Sequence, residues 1–172
     1  HNNYHSLVAQ QGLMRAQSAL GQAIERLASG KRINSAKDDP AGLAIANRMT
    51  APIRGLDQGT RNANDGSSEA QTAEGALSEI NYNVQRIREL TVQALSDSNN
   101  DKDRASIQNE ISQRLEEIER IASHTHFNGN SLLGAGVQDM SIQVGANDGN
   151  TIAIQLRAMD LSALGLSDFT VA

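Results

Sequence analysis

Apolar residues recur along the chain in three helical stripes and one alternating run. In residues 7–28, Leu13, Ala16, Leu20, Ala23, Ile24 and Leu27 fall at three- and four-residue steps, the spacing of one helix face. Ser29-Gly30 predicts the end of that helix. Residues 29–39 have no period and read as a connector. A second helix is expected to begin at Asp39-Pro40: the carboxylate can cap free backbone N–H groups, and proline at the first helical position loses no bond. Its stripe runs through Ala41, Ala44, Ile45, Met49, Ile53 and Leu56, with a kink or break expected near 48–52 because Pro52 removes an interior hydrogen bond.

Residues 60–68 carry Asn-Asp-Gly and read locally as a turn. Beyond them Leu77, Ile80, Val84, Ile87, Thr91 and Ala94 follow the strict three-four spacing of a heptad seam, with Leu90 and Leu95 widening it. A stripe of this kind needs a partner helix. Residues 96–103 are a polar break, and Ile107, Ile111, Leu115, Ile118 and Ala122 then mark a third helix. Glu110 with Arg114, and Glu116 with Arg120, sit four residues apart on its flanks. Gly129, after Phe127-Asn128, is the expected terminator. Between 141 and 156 the period shortens to two on either side of a Gly- and Asn-rich loop, which predicts a β-hairpin. Residues 157–172 read as a loop or a short extra element. The fold class expected is mainly α: an elongated bundle of long coiled-coil helices with a β-hairpin at the end of the helical domain.

Composition supports this. The chain is 38% hydrophobic but only 2% aromatic, so its core must be aliphatic, which suits packed helices better than a ring-lined pocket. The net charge of −5, with basic residues scattered from Arg15 to Arg61, argues against nucleic acid as a partner. The absence of cysteine removes disulfides, thiol nucleophiles and thiolate metal sites. No run of about 18 apolar residues is present to span a membrane, and the polar start lacks the apolar core of a signal peptide.

The chemistry of catalysis finds little footing. None of the 14 glycines falls in a phosphate-binding or dinucleotide pattern. His124-Thr-His126 would need further metal ligands, so the two histidines read as an exposed helix-end pair. Asp38-Asp39 resembles an acid pair, but capping before Pro40 accounts for Asp39 more simply. No enzyme activity, cofactor or metal is expected.

Five segments carry a resemblance: SALGQAIERLASGKRINSAKDD (18–39), RNANDGSSEAQTAEGALSEI (61–80), VQRIRELTVQ (84–93), IQNEISQRLEEIERIASHTHFNGNSLL (107–133) and SIQVGANDGNTIAIQL (141–156). Together, and in this order, they resemble the N-terminal region of bacterial flagellin from about residue 13 onward, while residues 1–12 match poorly. The resemblance implies an inner coiled-coil helix over 1–30, a spoke connector over 31–40, and the first part of the outer-tube helical domain over 41–172. It also implies that residues 64–66 lie within one long helix, against the local turn signal.

The function implied is that of a structural subunit of the flagellar filament, extracellular, passed unfolded through the flagellar export apparatus without signal cleavage. Its partners would be other flagellin subunits and the flagellin C-terminal segment. The assembly seam would be Leu77, Ile80, Val84, Ile87, Ile107, Ile111, Leu115 and Ile118. Without the C-terminal half, these seams are expected to stand uncovered. Flagellins are also ligands of Toll-like receptor 5. The family's receptor-contacting motif falls on Gln85, Arg86, Arg88, Glu89, Leu90 and Val92, with Glu110 assisting. A hook–filament junction protein would share the architecture, but the RINSAKDD and RNANDG runs favour flagellin. A generic coiled-coil module would lack both the connector at 29–39 and the hairpin.

Overall fold

The computed structural model describes residues 2–172, so His1 lies outside the described residues. In chain order the elements are α1 (Asn2–Ser29), α2 (Pro40–Ala94), α3 (Asp101–His124), β1 (His126–Phe127), β2 (Asn130–Ser131), β3 (Met140–Gln143), β4 (Thr151–Ile154) and α4 (Leu161–Leu164). The architecture is mainly α. Backbone contacts gather the chain into two units, His1–Arg54 and Gly55–Ala172, and the boundary falls inside α2.

In the first unit α1 stops where Gly30 takes a φ of 66°, a left-handed conformation that glycine adopts without strain. The connector that follows is organised by two carboxylates. Asp38 accepts from the backbone N–H groups of Asn34 (3.0 Å) and Ser35 (3.2 Å), and Arg26 lies 3.9 Å away. Those two N–H groups, and then Arg26, hold the Asp38 carboxyl below its usual value. Asp39 caps α2 as expected, its Oδ1 accepting from Gly42 N–H at 2.9 Å. Every described side chain of α1 is exposed, as are Ile45, Met49 and Ile53 of α2.

The second helix shows no break at Pro52 and no turn at 60–68. It runs without a break through Pro52, which forfeits one internal hydrogen bond rather than ending the helix. It also runs through the turn-like stretch at 60–68. There the hydroxyls of Thr60, Ser68 and Thr72 donate back to the carbonyls of Leu56, Asn64 and Ser68. Residues that break helices by competing for backbone groups here bond to the helix's own carbonyls.

In the second unit the seams of α2 and α3 face each other. Ile80, Ile87, Leu90 and Ala94 join Ile107, Ile111, Leu115, Ile118, Ile121 and Ala122 in one buried cluster that Leu132 and Leu133 complete. The expectation that these seams stand uncovered is therefore corrected: they cover one another. Uncovered apolar side chains are concentrated on α1 and the first part of α2. Asn100 and Asp103 form a reciprocal capping box at the start of α3, at 2.9 and 3.0 Å. Arg120 pairs with Glu117, not with the expected Glu116.

The helix also ends earlier than Gly129. It stops at His124, and Asn128-Gly129 instead forms the two-residue loop of the β1–β2 hairpin. Both residues have positive φ, 50° and 79°, as a type I′ turn requires.

The β3–β4 hairpin pairs Met140 with Ile154 and Gln143 with Thr151. It lies on α2 along a glycine track. A Cβ added at Gly66 would come 3.2 Å from Ile142, at Gly55 2.8 Å from Ala146, and at Gly59 against the Val144 carbonyl. Asn62 Nδ2 donates to Gln143 O at 2.9 Å in the same contact. Finally the chain returns along α3. Leu161 N–H donates to Glu119 (2.9 Å) and Val171 N–H to Gln108 (2.8 Å), while Leu161, Leu164, Leu166 and Phe169 pack on the core.

Candidate functional site

Three surfaces are candidates. The first is the set of large apolar side chains with no cover. On α1 these are Leu7, Val8, Leu13, Met14, Leu20, Ile24 and Leu27, the last 85% exposed. On α2 they are Ile45, Met49, Ile53 and Leu56. Side chains of this kind cost free energy in water, roughly 25 cal/mol per Å² of apolar surface, and their periodic spacing makes each helix one face of an unfinished coiled coil.

The second is an open cleft of about 330 Å³ in the second unit, lined by Ala70, Ala73 and Leu77 of α2 with Leu133, Ile154, Leu156 and Met159. Its apolar floor continues the α2 stripe. Leu77, one of the expected seam residues, is 36% exposed here, whereas Ile80, Ile87, Ile107, Ile111, Leu115 and Ile118 are buried and Val84 is half-buried.

The third is a charged cluster where α2 passes α3. Arg86 Nε donates to Glu110 at 2.9 Å, and its Nη1 donates to Glu89 at 3.1 Å. Arg114 lies 3.9 Å from the same Glu110 oxygen. The hydrogen bond to Glu110 and then that to Glu89 raise the Arg86 pKa, so its charge is fixed at any accessible pH. The Arg86 and Glu110 side chains remain 36% and 35% exposed, enough to meet a partner. Gln85, Arg88, Glu89 and Val92 are exposed beside them. Leu90 differs. At 2% exposure it sits in the core beneath the cluster and has almost no surface to offer.

Among the described residues no group of three His, Asp or Glu side chains could hold a metal ion. His124 donates its Nδ1 proton to the Arg120 carbonyl at 2.9 Å. No helix among the described residues is long and apolar enough to cross a membrane.

The sequence matches the family model described as the bacterial flagellin N-terminal helical region over residues 1–138. The chain belongs to the flagellin family. Phase 1 flagellin of Salmonella naestved and flagellin of Salmonella dublin are each 60% identical to it over 169 residues, 98% of this chain and 33% of theirs. The chain thus spans about a third of the length of these relatives. Among solved structures, FliC from Burkholderia pseudomallei is similar with a TM-score of 0.53 at 36% identity, over 57% of this chain and 38% of that one. Bacillus cereus flagellin is similar with a TM-score of 0.52 at 35% identity, over 60% of each chain.

Sequence reasoning missed two features of this flagellin segment. Of the glycine track under the hairpin only Gly66 carried a signal, and that signal was a turn's. The buried carboxylate of Glu69, 6% exposed in α2, gave no motif at all.

Proposed function

We propose that this chain is the N-terminal part of a non-catalytic structural subunit of the flagellar filament, with other flagellin subunits and the flagellin C-terminal segment as its partners. The observation that carries the reading is the unbroken exposure of the α1 stripe together with Ile45, Met49 and Ile53. A helix of α1's amphipathic kind draws most of its stability from tertiary packing, and burying these side chains in neighbours would supply it. The buried α2–α3 seam is then the prefolded part of the subunit, and α1 the part that orders on assembly. An extracellular location in the flagellum, reached through the flagellar export apparatus, belongs to the same reading.

The test is to mix the chain with a flagellin C-terminal segment and follow light scattering and circular dichroism. Helicity and thermal cooperativity are expected to rise on mixing. Leu20→Asp should abolish that rise while leaving the melting of the second unit unchanged. A fully helical monomer indifferent to the added segment would overturn the proposal.

A second reading concerns recognition by Toll-like receptor 5, and the cluster around Arg86 favours it. Arg86 is oriented by two carboxylates on two helices, so it is presented in one geometry at little entropic cost, as interface hot spots tend to be. We infer that Arg86, Glu89 and Glu110, flanked by Gln85, Arg88 and Val92, form the contact, and that Leu90 acts by packing beneath them. Arg86→Ala is expected to weaken receptor binding by about thirtyfold or more, the range of interface hot spots, without lowering the melting temperature appreciably. Leu90→Ala should lower both. Unchanged affinity of Arg86→Ala in a surface-binding assay would remove the cluster from the interface.

A further inference from the structure

Glu69 is a buried carboxylate on the face of α2 that meets the hairpin and the core. It projects from the α2 face that carries Gly66, where Ile142 and Ile154 of the hairpin approach, and Ala73, which lies in the core. It is 6% exposed, and its Oε2 atom has no hydrogen-bond partner. A buried ionised oxygen without a donor is among the most costly arrangements in a protein, and the usual resolution is to take up a proton.

The surrounding charges do not offer another resolution. On its own helix the nearest ionisable group one turn back is Asp65, which is also acidic. The strands laid on this part of α2, Met140–Gln143 and Thr151–Ile154, contain no ionisable residue. At their base Asp139 accepts from Leu156 N–H at 3.1 Å, and Arg157 lines the cleft with Glu74. On α3, Glu110 holds Arg86 and lies beside Arg114, Glu117 holds Arg120, and His124 is tied to a carbonyl. No ion pair among the described residues includes Glu69.

We propose that Glu69 is a proton-operated latch for the β3–β4 hairpin: a proton taken from solvent onto its carboxylate permits the hairpin to lie on α2, and loss of that proton loosens it. The physical basis is linkage. Burial first, and the neighbouring Asp65 second, push the Glu69 carboxyl above its ordinary value. A group raised in the docked state binds its proton more tightly there than in the open state. Docking is therefore strongest below the ordinary carboxyl range, weakens as pH rises through the raised value, and is level above it.

The experiment uses the chain as it stands. Carbon-13 NMR follows the titration of the Glu69 carboxyl, and the nitrogen-15 shift of the Asn62 side-chain amide, which donates to Gln143 O across the contact between α2 and the hairpin, follows docking. The wild type is expected to show a raised carboxyl titration. The Asn62 signal should move from its docked toward its open position as pH rises through it, while the backbone amides of Ile111 and Ile118 in α3 stay constant. Glu69→Gln, which keeps the shape and cannot ionise, should give a flat profile. Glu69→Met serves if the amide variant folds poorly. An ordinary titration of Glu69 in the wild type, or the same pH dependence in either variant, overturns the proposal.

Discussion

Ile118→Ala is expected to destabilise the second unit by about 2–5 kcal/mol, the range for removing three carbons from a packed core. Ile118 is fully buried in the second half of α3, in one cluster with Ile80 and Ile87 of α2 and Leu132 and Leu133 beyond the helix. Ile118→Val should cost less, about 0.5–1.5 kcal/mol. Urea denaturation measures both, with the denaturant slope unchanged if the folded state keeps its compactness. A loss below about 1 kcal/mol for the alanine variant, under the range for such a truncation, would mean that the α2–α3 seam is not packed within the chain. The helices would then have to find their cover elsewhere.

Two glycines of α2 should respond to alanine in opposite directions. In a plain helix the change gains about 1 kcal/mol in either case. At Gly75 an added Cβ meets nothing within 4 Å, so Gly75→Ala should stabilise by about 0.5–1 kcal/mol. At Gly59 the added carbon would sit 2.6 Å from the carbonyl carbon of Val144 and 3.1 Å from Gly145 N. Both are backbone atoms and cannot rotate aside. The hairpin must lift, and Asn62 loses its bond to Gln143 O. Gly59→Ala is expected to cost about 1–3 kcal/mol, as overpacking does, with the loss concentrated in hairpin amide protection. Equal and favourable shifts at both positions would show that the hairpin does not press on α2.

What was legible in the sequence follows from the range of the interaction that decides each feature. Seam residues such as Ile80, Ile87, Ile111 and Ile118 announce themselves because a helix repeats its buried face every three or four positions. Asp39 and Gly30 announce themselves because capping is local. The stretch at 60–68 misleads, since Asn64-Asp65-Gly66 has a turn's composition. Gly66 is small for the sake of Ile142 and Ile154, more than seventy positions away. The Asn128-Gly129 pair did carry the signature of a type I′ hairpin, but its place after a helical stripe made it look like a helix terminator. The choice of Glu117 over Glu116 by Arg120 is made by side-chain geometry that spacing alone does not resolve. The union of Arg86 with Glu110 joins two helices, and no local window contains both. For Glu69 the available signal was its register with Ala73 and Ile80, which sets a carboxylate on the buried stripe.

The glycine track has a consequence for the order in which the chain acquires its structure. Arg86 and Glu110 are separated by 24 residues, Asn62 and Gln143 by 81. Closing the longer loop costs about 1 kcal/mol more in chain entropy, so the helical pair is expected to assemble ahead of the hairpin's docking. Until the hairpin docks, the face at Gly55, Gly59 and Gly66 stands open. A waiting face of leucines would be a site for unwanted association. Made of glycine, it has no side chain with which to hold a stranger, and it becomes a close contact only when the one segment shaped to lie on it arrives.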